Sequence, residues 1–255
     1  MPSTISTRAE LLSSAQSASG RCWRAVEAQN IVSTAKLTDN AVEQKLLEER
    51  IEKSKPRIPP ECRALNYLLS TPFRYGAPYP RGSRFRRAGR GPGVFYASEN
   101  PDTAIAELCF WRLVFFAESP QTKWPSGAGE YTAFASRYAT DRCADLTGRP
   151  FNDREPIWMH KSKYDDCQEL AEIARTANIE IIKYWSVRDP KKRLNIALLT
   201  CRAFAAPEPV ERQTWRIILN AYGARAICES PRSSLDFDRA AFRDDPRIDA
   251  LNWDR

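Results

Sequence analysis

The segment 74–90 constrains the fold of this chain more than any other stretch. It carries six arginines, three glycines and two prolines but no acidic residue. Proline and glycine at this density exclude a regular helix, so we expect an extended, loop-rich segment that presents guanidinium groups. Such groups bind phosphates through paired hydrogen bonds, and glycine lets the backbone approach an anion. A clamp for a diphosphate or a nucleic acid is one interpretation, and a solvated basic loop is the other.

His160 is the single histidine, which excludes zinc sites built on two or three histidines. The seven cysteines include no Cys-x-x-Cys pair, which excludes a zinc ribbon and a thioredoxin-like motif. We therefore predict no metal site. An odd number of scattered cysteines favours reduced thiols over a disulfide framework.

The 255 residues allow one large domain or two small ones, with a substantial core in either case. Residues 1–20 contain no apolar core of signal-peptide length. The densest apolar stretch, 113–117, is too short to cross a bilayer. A cytoplasmic protein that does not enter a membrane is expected. The net charge of +7 suits a polyanionic partner, although a solvated basic surface is the commoner explanation.

Apolar periodicity and capping signals predict a mixture of helices and strands. Asn40 and Glu43 form a capping box at the start of one helix, and Asn100 followed by Pro101 begins another. Strands and helices do not alternate strictly, so we predict an α+β fold with central β-sheets flanked by helices. The predicted helices cover 40–54, 101–115 and 164–177, and the predicted strands cover 22–26, 93–97, 131–135, 179–184, 194–199 and 224–228.

Glu107 lies at the edge of an apolar stripe, formed by Ala104, Leu108 and Trp111, on the predicted helix 101–115. A carboxylate there, shortly after Tyr96 on the preceding strand, is placed to reach a pocket. The alternative is a surface glutamate on an amphipathic helix.

Ser186 follows an apolar strand and precedes the polar cluster 187–190. Polar residues at the carboxyl end of a strand often build sites in α/β proteins, but Asp189-Pro190 is also typical of a simple turn. The chain contains no dinucleotide-binding glycine motif, phosphate-binding loop or hydrolase nucleophile elbow.

Taken together, these segments resemble the RES-domain family, which is named for an Arg, a Glu and a Ser. The resemblance covers about 70–205, and it places Trp23-Arg24 and Phe73-Arg74-Tyr75 as alternative upstream elements because 27–70 is longer than in compact members. We expect one domain over 1–255, with an N-terminal extension at 1–70, a core at 71–205 and a C-terminal segment at 206–255. The stretches that carry the resemblance are 82–86, 93–97, 103–107, 167–175, 184–190 and 195–198.

The resemblance implies a fold similar to ADP-ribosyltransferases and an enzyme that destroys NAD+ by hydrolysis or phosphorolysis of the nicotinamide–ribose bond. NAD+ would be a substrate and no separate cofactor is expected. Such proteins are toxins of bacterial toxin–antitoxin pairs, inhibited by a small helix-turn-helix antitoxin. Phosphate as a co-substrate and a homodimeric core are compatible with the same resemblance.

The resemblance also implies roles for individual residues. Glu107 would stabilise the positive charge that develops on the ribose, Arg84 would hold the diphosphate, and Ser186 would position the substrate or Glu107. An aromatic ring would stack on nicotinamide. The residues expected to assist in binding are Arg24, Arg74, Tyr75, Tyr96 and Arg188.

Two other functions remain open at this point. The same site would serve an ADP-ribosyltransferase that modifies a macromolecule. Alternatively, the arginine-rich segment would belong to a basic nucleic-acid-binding module, whose affinity falls steeply with salt. The chain lacks a helix-turn-helix or an aromatic RNA-binding signature, so direct nucleic-acid binding is not expected.

Overall fold

Strand β3, Gly129–Asp145, organises the fold, because three other strands pair with it in the computed structural model of the chain. The structure describes residues 8–28, 37–74, 82–89, 91–249 and 251–254. The helices are α1 (Arg8–Ser13), α2 (Ala41–Ser54), α3 (Tyr67–Arg74), α4 (Pro101–Glu118), α5 (Glu155–Trp158), α6 (Asp165–Thr176) and α7 (Pro246–Asp249). The strands besides β3 are β1 (Gln16–Glu27), β2 (Phe95–Ser98), β4 (Ile181–Trp185), β5 (Leu194–Leu198), β6 (Glu211–Asn220), β7 (Gly223–Cys228) and β8 (Ser233–Asp238).

Five of these strands close into a ring. β1 runs antiparallel to β3 along its length, and β3 pairs in parallel with β4. β4, β5 and β2 follow as antiparallel neighbours. The ring closes where Trp23 of β1 pairs with Ser98 of β2. β6 pairs with the first part of β3, and β7 and β8 extend the sheet from there.

The ring buries apolar side chains on both faces. Phe95 and Phe134 belong to a cluster that α3 covers. On the other face, α4 packs with Trp23 and Trp215, while α6 packs with Phe85. Because the strands alternate their side chains between the two faces, one ring supports separate clusters under three helices.

The predicted α+β class is confirmed, and each predicted helix and strand has a counterpart in the structure. Asn40 caps α2 by accepting hydrogen bonds from the amides of Val42 and Glu43, both at 3.0 Å. The apolar stripe of this helix is largely exposed, since Val42 and Leu46 keep more than half of their surface accessible.

Two strands, the second half of β3 and the first half of β1 are absent from the sequence prediction. The polar stretch 136–145 extends β3, because β1 pairs with it in spite of its weak strand signal. β6 shows a regular alternation of buried and exposed residues that the prediction passed over. β8 is a short, mostly polar edge strand.

The expectation that the thiols are reduced is wrong at one pair. Cys62 and Cys201 form a disulfide with Cα atoms 5.8 Å apart, and the other five cysteines are free and buried. The two residues lie 139 positions apart, and only the packing of the turns 60–62 and 201–203 brings them together.

Among the described helices, none has both the length and the apolar composition needed to cross a bilayer.

Gly93 allows the chain before β2 to pass directly against α3. A Cβ atom at Gly93 would lie 1.7 Å from the carbonyl oxygen of Pro72, and a backbone atom cannot move aside as a side chain does. We expect Gly93→Ala to lower the free energy of unfolding by about 1–3 kcal/mol or more. Gly127→Ala is the matched control because its Cβ meets nothing within 4 Å. Urea unfolding measures both, and equal stabilities would contradict the prediction.

Candidate active site

A cavity of about 430 Å³ lies between α4, the loop 82–86 and the strand ends of the ring. Trp23, Ser98, Asn195 and Tyr184 form one row across β1, β2, β5 and β4, because each pairs with the next. All four line the cavity. Its charged lining residues among those described are Arg24, Arg84, Arg86, Arg188 and Glu107.

Among the described residues that line the cavity, Glu107 is the one acidic side chain. It lies in the second turn of α4. Its Oε1 atom accepts hydrogen bonds from Ser186 Oγ and from Asn195 Nδ2, each at 2.7 Å. Ala104, Leu108 and Trp111, on the same side of the helix, also line the cavity. The apolar stripe predicted for this helix thus faces the site, while other residues of α4 fill the core.

The turn after β4 fixes Ser186 beside Glu107. Ser186 is fully buried, and its Oγ accepts the backbone N–H groups of Arg188 at 3.2 Å and Asp189 at 3.0 Å. Asp189 in turn accepts a hydrogen bond from Thr103 on α4 at 2.6 Å. The turn and the helix therefore hold the serine and the glutamate in one geometry.

Arg84 lies 7% exposed and is anchored by backbone carbonyls. Its guanidinium donates to Trp158 O and to His160 O, the latter at 3.1 Å, and lies 4.8 Å from the centre of the Tyr164 ring. No carboxylate pairs with it in the described part of the chain. The positive charge of Arg84 is thus held rigidly at the cavity wall, where Glu107 acts on it without forming an ion pair.

The loop 82–86 is a tight turn tied to two other elements. Gly82 has a φ of +61°, and a Cβ there would lie 2.4 Å from Arg86 O. Tyr96 Oη accepts the N–H of Phe85 at 2.9 Å and lies 2.8 Å from Ser83 Oγ, and burial raises the pKa of this phenol to about 12. The Gln168 amide donates to Ser83 O at 2.9 Å. These contacts fix the backbone that presents Arg84.

Arg24 reaches the cavity from β1. It donates to Tyr96 O at 2.8 Å, and its guanidinium lies 5.2 Å from the Phe95 ring centre. Burial lowers the pKa of Arg24 to about 10. The described residues offer this arginine no carboxylate either, so a second uncompensated cation faces the cavity.

Arg188 differs because it has an acidic partner. Its Nη2 atom lies 3.0 Å from Asp245 Oδ2, and both side chains are buried. Its guanidinium also lies 4.2 Å from the centre of the Phe110 ring. Asp245 also pairs with Arg247. Through its ion pair with Arg188, the C-terminal segment therefore stabilises the turn that carries Ser186.

The family model of the RES domain matches residues 57–220, more than half of the chain. The chain belongs to the RES-domain family. Among solved structures, the RES chain is similar to a chain of the M. tuberculosis MbcT-MbcA toxin-antitoxin complex. The identity is 12% and the TM-score 0.44, over 93% of this chain and 96% of that one. A search of curated proteins finds no match.

The fold brings Glu107, Arg84, Ser186, Arg24, Tyr96 and Arg188 together around one cavity. It places Arg74 elsewhere: this residue ends α3 and pairs with Glu52 at 2.7 Å. Tyr75 lies outside the described residues. The ring nitrogen of His160 accepts the N–H groups of Ser162 and Lys163 in a local turn.

Sequence reasoning assigned no role to several lining residues of this RES domain. Asn195 and Ser98 are polar residues at the ends of apolar strands, a signal visible in the sequence, but only the register brings them to Glu107. Tyr184 is buried beside Glu107, and burial followed by that negative charge raises its pKa well above the ordinary value. Tyr164 supplies the ring beneath Arg84.

Asp245 is expected to stabilise the RES fold in a pH-dependent way. Burial alone would raise the pKa of this carboxyl, but Arg247 and Arg188 lower it below its ordinary value. Its contribution is therefore complete above the unfolded pKa of about 3.9 and is lost as the pH falls through the lower folded pKa. At pH 7, Asp245→Asn should cost about 3 kcal/mol, since it leaves a buried arginine without its partner.

Urea unfolding from pH 7 to pH 2.5 measures this effect. The stability gap between wild type and Asp245→Asn should narrow below about pH 4. Asp244→Asn is the control, because its side chain is 76% exposed and its loss should stay within about 0.5 kcal/mol. A gap that is unchanged at acidic pH would contradict the assignment.

Proposed function

We propose that this RES domain cleaves the nicotinamide–ribose bond of NAD+ and acts as the toxin of a toxin–antitoxin pair. One observation carries the catalytic part of the proposal. A single described carboxylate, Glu107, faces a cavity in which Arg24 and Arg84 have no acidic partner. This distribution suits a substrate with a negative diphosphate at one end and a developing positive charge at the other.

The chemistry needs little from the protein beyond this arrangement. When the C1′–N bond breaks, its electron pair leaves with nicotinamide as a neutral molecule, and the ribose gains oxocarbenium character. Glu107 stabilises that charge and accepts hydrogen bonds from the ribose hydroxyls. The oxygen of water or phosphate then bonds to C1′ and, in the case of water, one proton passes to the solvent. Ser186 holds Glu107 and is assigned no nucleophilic role, since it is fully buried and its oxygen already accepts two backbone N–H groups.

Arg24 and Arg84 hold the diphosphate. Burying a cation without a partner is costly, and an anionic substrate would supply the missing charge. Arg84 is fixed by carbonyls and contributes a rigid positive potential, whereas Arg24 makes one hydrogen bond to protein in the described structure. The charge of Arg188 is already balanced by Asp245. Arg188 therefore supports the turn that carries Ser186 and does not hold the diphosphate.

The partner that we propose for this chain is a small helix-turn-helix antitoxin that covers the cavity. The M. tuberculosis chain that resembles it belongs to a toxin-antitoxin complex.

Water, phosphate and a macromolecule are alternative acceptors of the ADP-ribose group at the same site. Release of nicotinamide only when a protein or nucleic acid is added would favour the ADP-ribosyltransferase function.

Glu107→Gln tests the proposed charge stabilisation. The neutral amide keeps the size of the side chain but removes its charge, so the rate of NAD+ consumption should fall by about 10²–10³-fold. Pure protein is incubated with NAD+, with and without phosphate, and the products are identified by mass spectrometry. Intact NAD+ with the wild-type protein in both buffers would refute the proposed activity, and full activity of the variant would refute the role of Glu107.

Arg24→Ala and Arg74→Ala distinguish the two upstream arginines. Arg24 lines the cavity, so its loss should raise the KM for NAD+ by about 10-fold or more, in keeping with a lost charge-assisted hydrogen bond. Arg74 pairs with Glu52 away from the cavity, so its loss should leave KM within about twofold. Steady-state kinetics of both variants decide the question, and the reverse order would exclude Arg24 from the diphosphate site.

A further inference from the structure

We infer that Asn195 is a positioning residue which, together with Ser98, selects the oxygen of Glu107 that meets the substrate. This inference rests on the proposed function of the cavity. Neither residue needs to touch the reacting atoms, because both act through the carboxylate. The contacts that carry the inference are Ser98 Oγ to Asn195 Oδ1 at 2.6 Å and Asn195 Nδ2 to Glu107 Oε1 at 2.7 Å.

Strand register brings these residues together. Ser98 of β2 pairs with Asn195 of β5, which also pairs with Tyr184 of β4. Partners across antiparallel strands project from the same face of the sheet. Ser98 and Asn195 are 2% and 3% exposed, and buried polar groups are costly unless they are hydrogen-bonded. Their position beneath Glu107 therefore gives the Asn195 amide its hydrogen-bond partners and also orients the carboxylate.

Only one orientation of the Asn195 amide is compatible with its neighbours. If the amide were reversed, its oxygen would lie 2.7 Å from Glu107 Oε1, and two acceptors would face each other. With the nitrogen toward Glu107, the amide oxygen accepts the Ser98 hydroxyl. A carboxylate offers no donor, so Glu107 and Ser98 together fix the amide.

Ser186 is constrained in the same way. Its oxygen already accepts two backbone N–H groups, so its single proton is directed to Glu107 Oε1. Both donors thus converge on Oε1. Within the described part of the chain, no hydrogen bond is made to Oε2, which leaves that oxygen to meet the ribose.

Asn195→Asp and Asn195→Ala separate positioning from packing. The aspartate has the same shape but replaces the donor with a second negative oxygen beside Glu107, so kcat should fall by about 100-fold or more. The alanine removes the donor without adding a charge and should lower kcat by about 10-fold. KM should change less than about threefold in both variants. If Asn195 served packing alone, the alanine would be the more damaging change.

Two further variants serve as comparisons. Ser98→Ala removes the group that fixes the amide and should lower kcat by about 3- to 10-fold with little change in KM. Gln213→Glu is the matched control for the aspartate. Gln213 is also a buried amide that donates to a glutamate, Glu211 at 3.2 Å, but it lies outside the cavity lining. Its variant should keep the wild-type kcat.

A stability measurement tests the hydrogen bond between Asn195 and Glu107 without any measurement of activity. Urea unfolding of Asn195→Ala, Glu107→Ala and the double variant forms a double-mutant cycle. If Asn195 binds Glu107, the double variant should lose less stability than the sum of the single variants. Additive losses would overturn the inference, as would an aspartate variant milder than the alanine variant. A wild-type protein that leaves NAD+ intact would refute the proposed function, and the cycle would still report on the contact.

Discussion

The pairing of β1 with β3 is the constraint on which the rest of the structure depends. It holds an N-terminal strand against the longest strand of the chain, from Gln16 opposite Cys143 to Glu27 opposite Tyr131. Because β1 also pairs with β2 at Trp23 and Ser98, the five strands close into a ring. Closure fixes the register of the row that lines the cavity, and a shift by one residue would turn each of these side chains to the opposite face.

The cavity combines rigid cations with a rigid carboxylate. Arg84 is held by two carbonyls and an aromatic ring, and Glu107 by a serine and an asparagine. Under the proposed function, neither group would need to rearrange when the substrate enters, and such preorganisation is a main source of electrostatic catalysis. The C-terminal segment contributes to this rigidity, since Asp245 ties Arg188 and Arg247 behind the Ser186 turn.

Several local features could be predicted because short-range chemistry decides them. Asn100 followed by Pro101 begins α4, and the density of arginine, glycine and proline predicted the absence of a regular helix that is seen at 82–89. The motifs around Arg84, Glu107 and Ser186, in order and at compatible spacing, indicated the RES family. The second half of β3 could not be predicted, since its polar residues become a strand only through pairing with β1.

The sequence by itself determined the α+β class, the main helices and the candidate residues Arg84, Glu107 and Ser186. Capping, periodicity and residue type are local properties, and they act before the chain has folded. Only the tertiary structure decided that Arg24 and not Arg74 lines the cavity, that Cys62 meets Cys201, and that Asn195 reaches Glu107. These outcomes depend on strand register and on contacts between distant segments, which are settled when the ring closes.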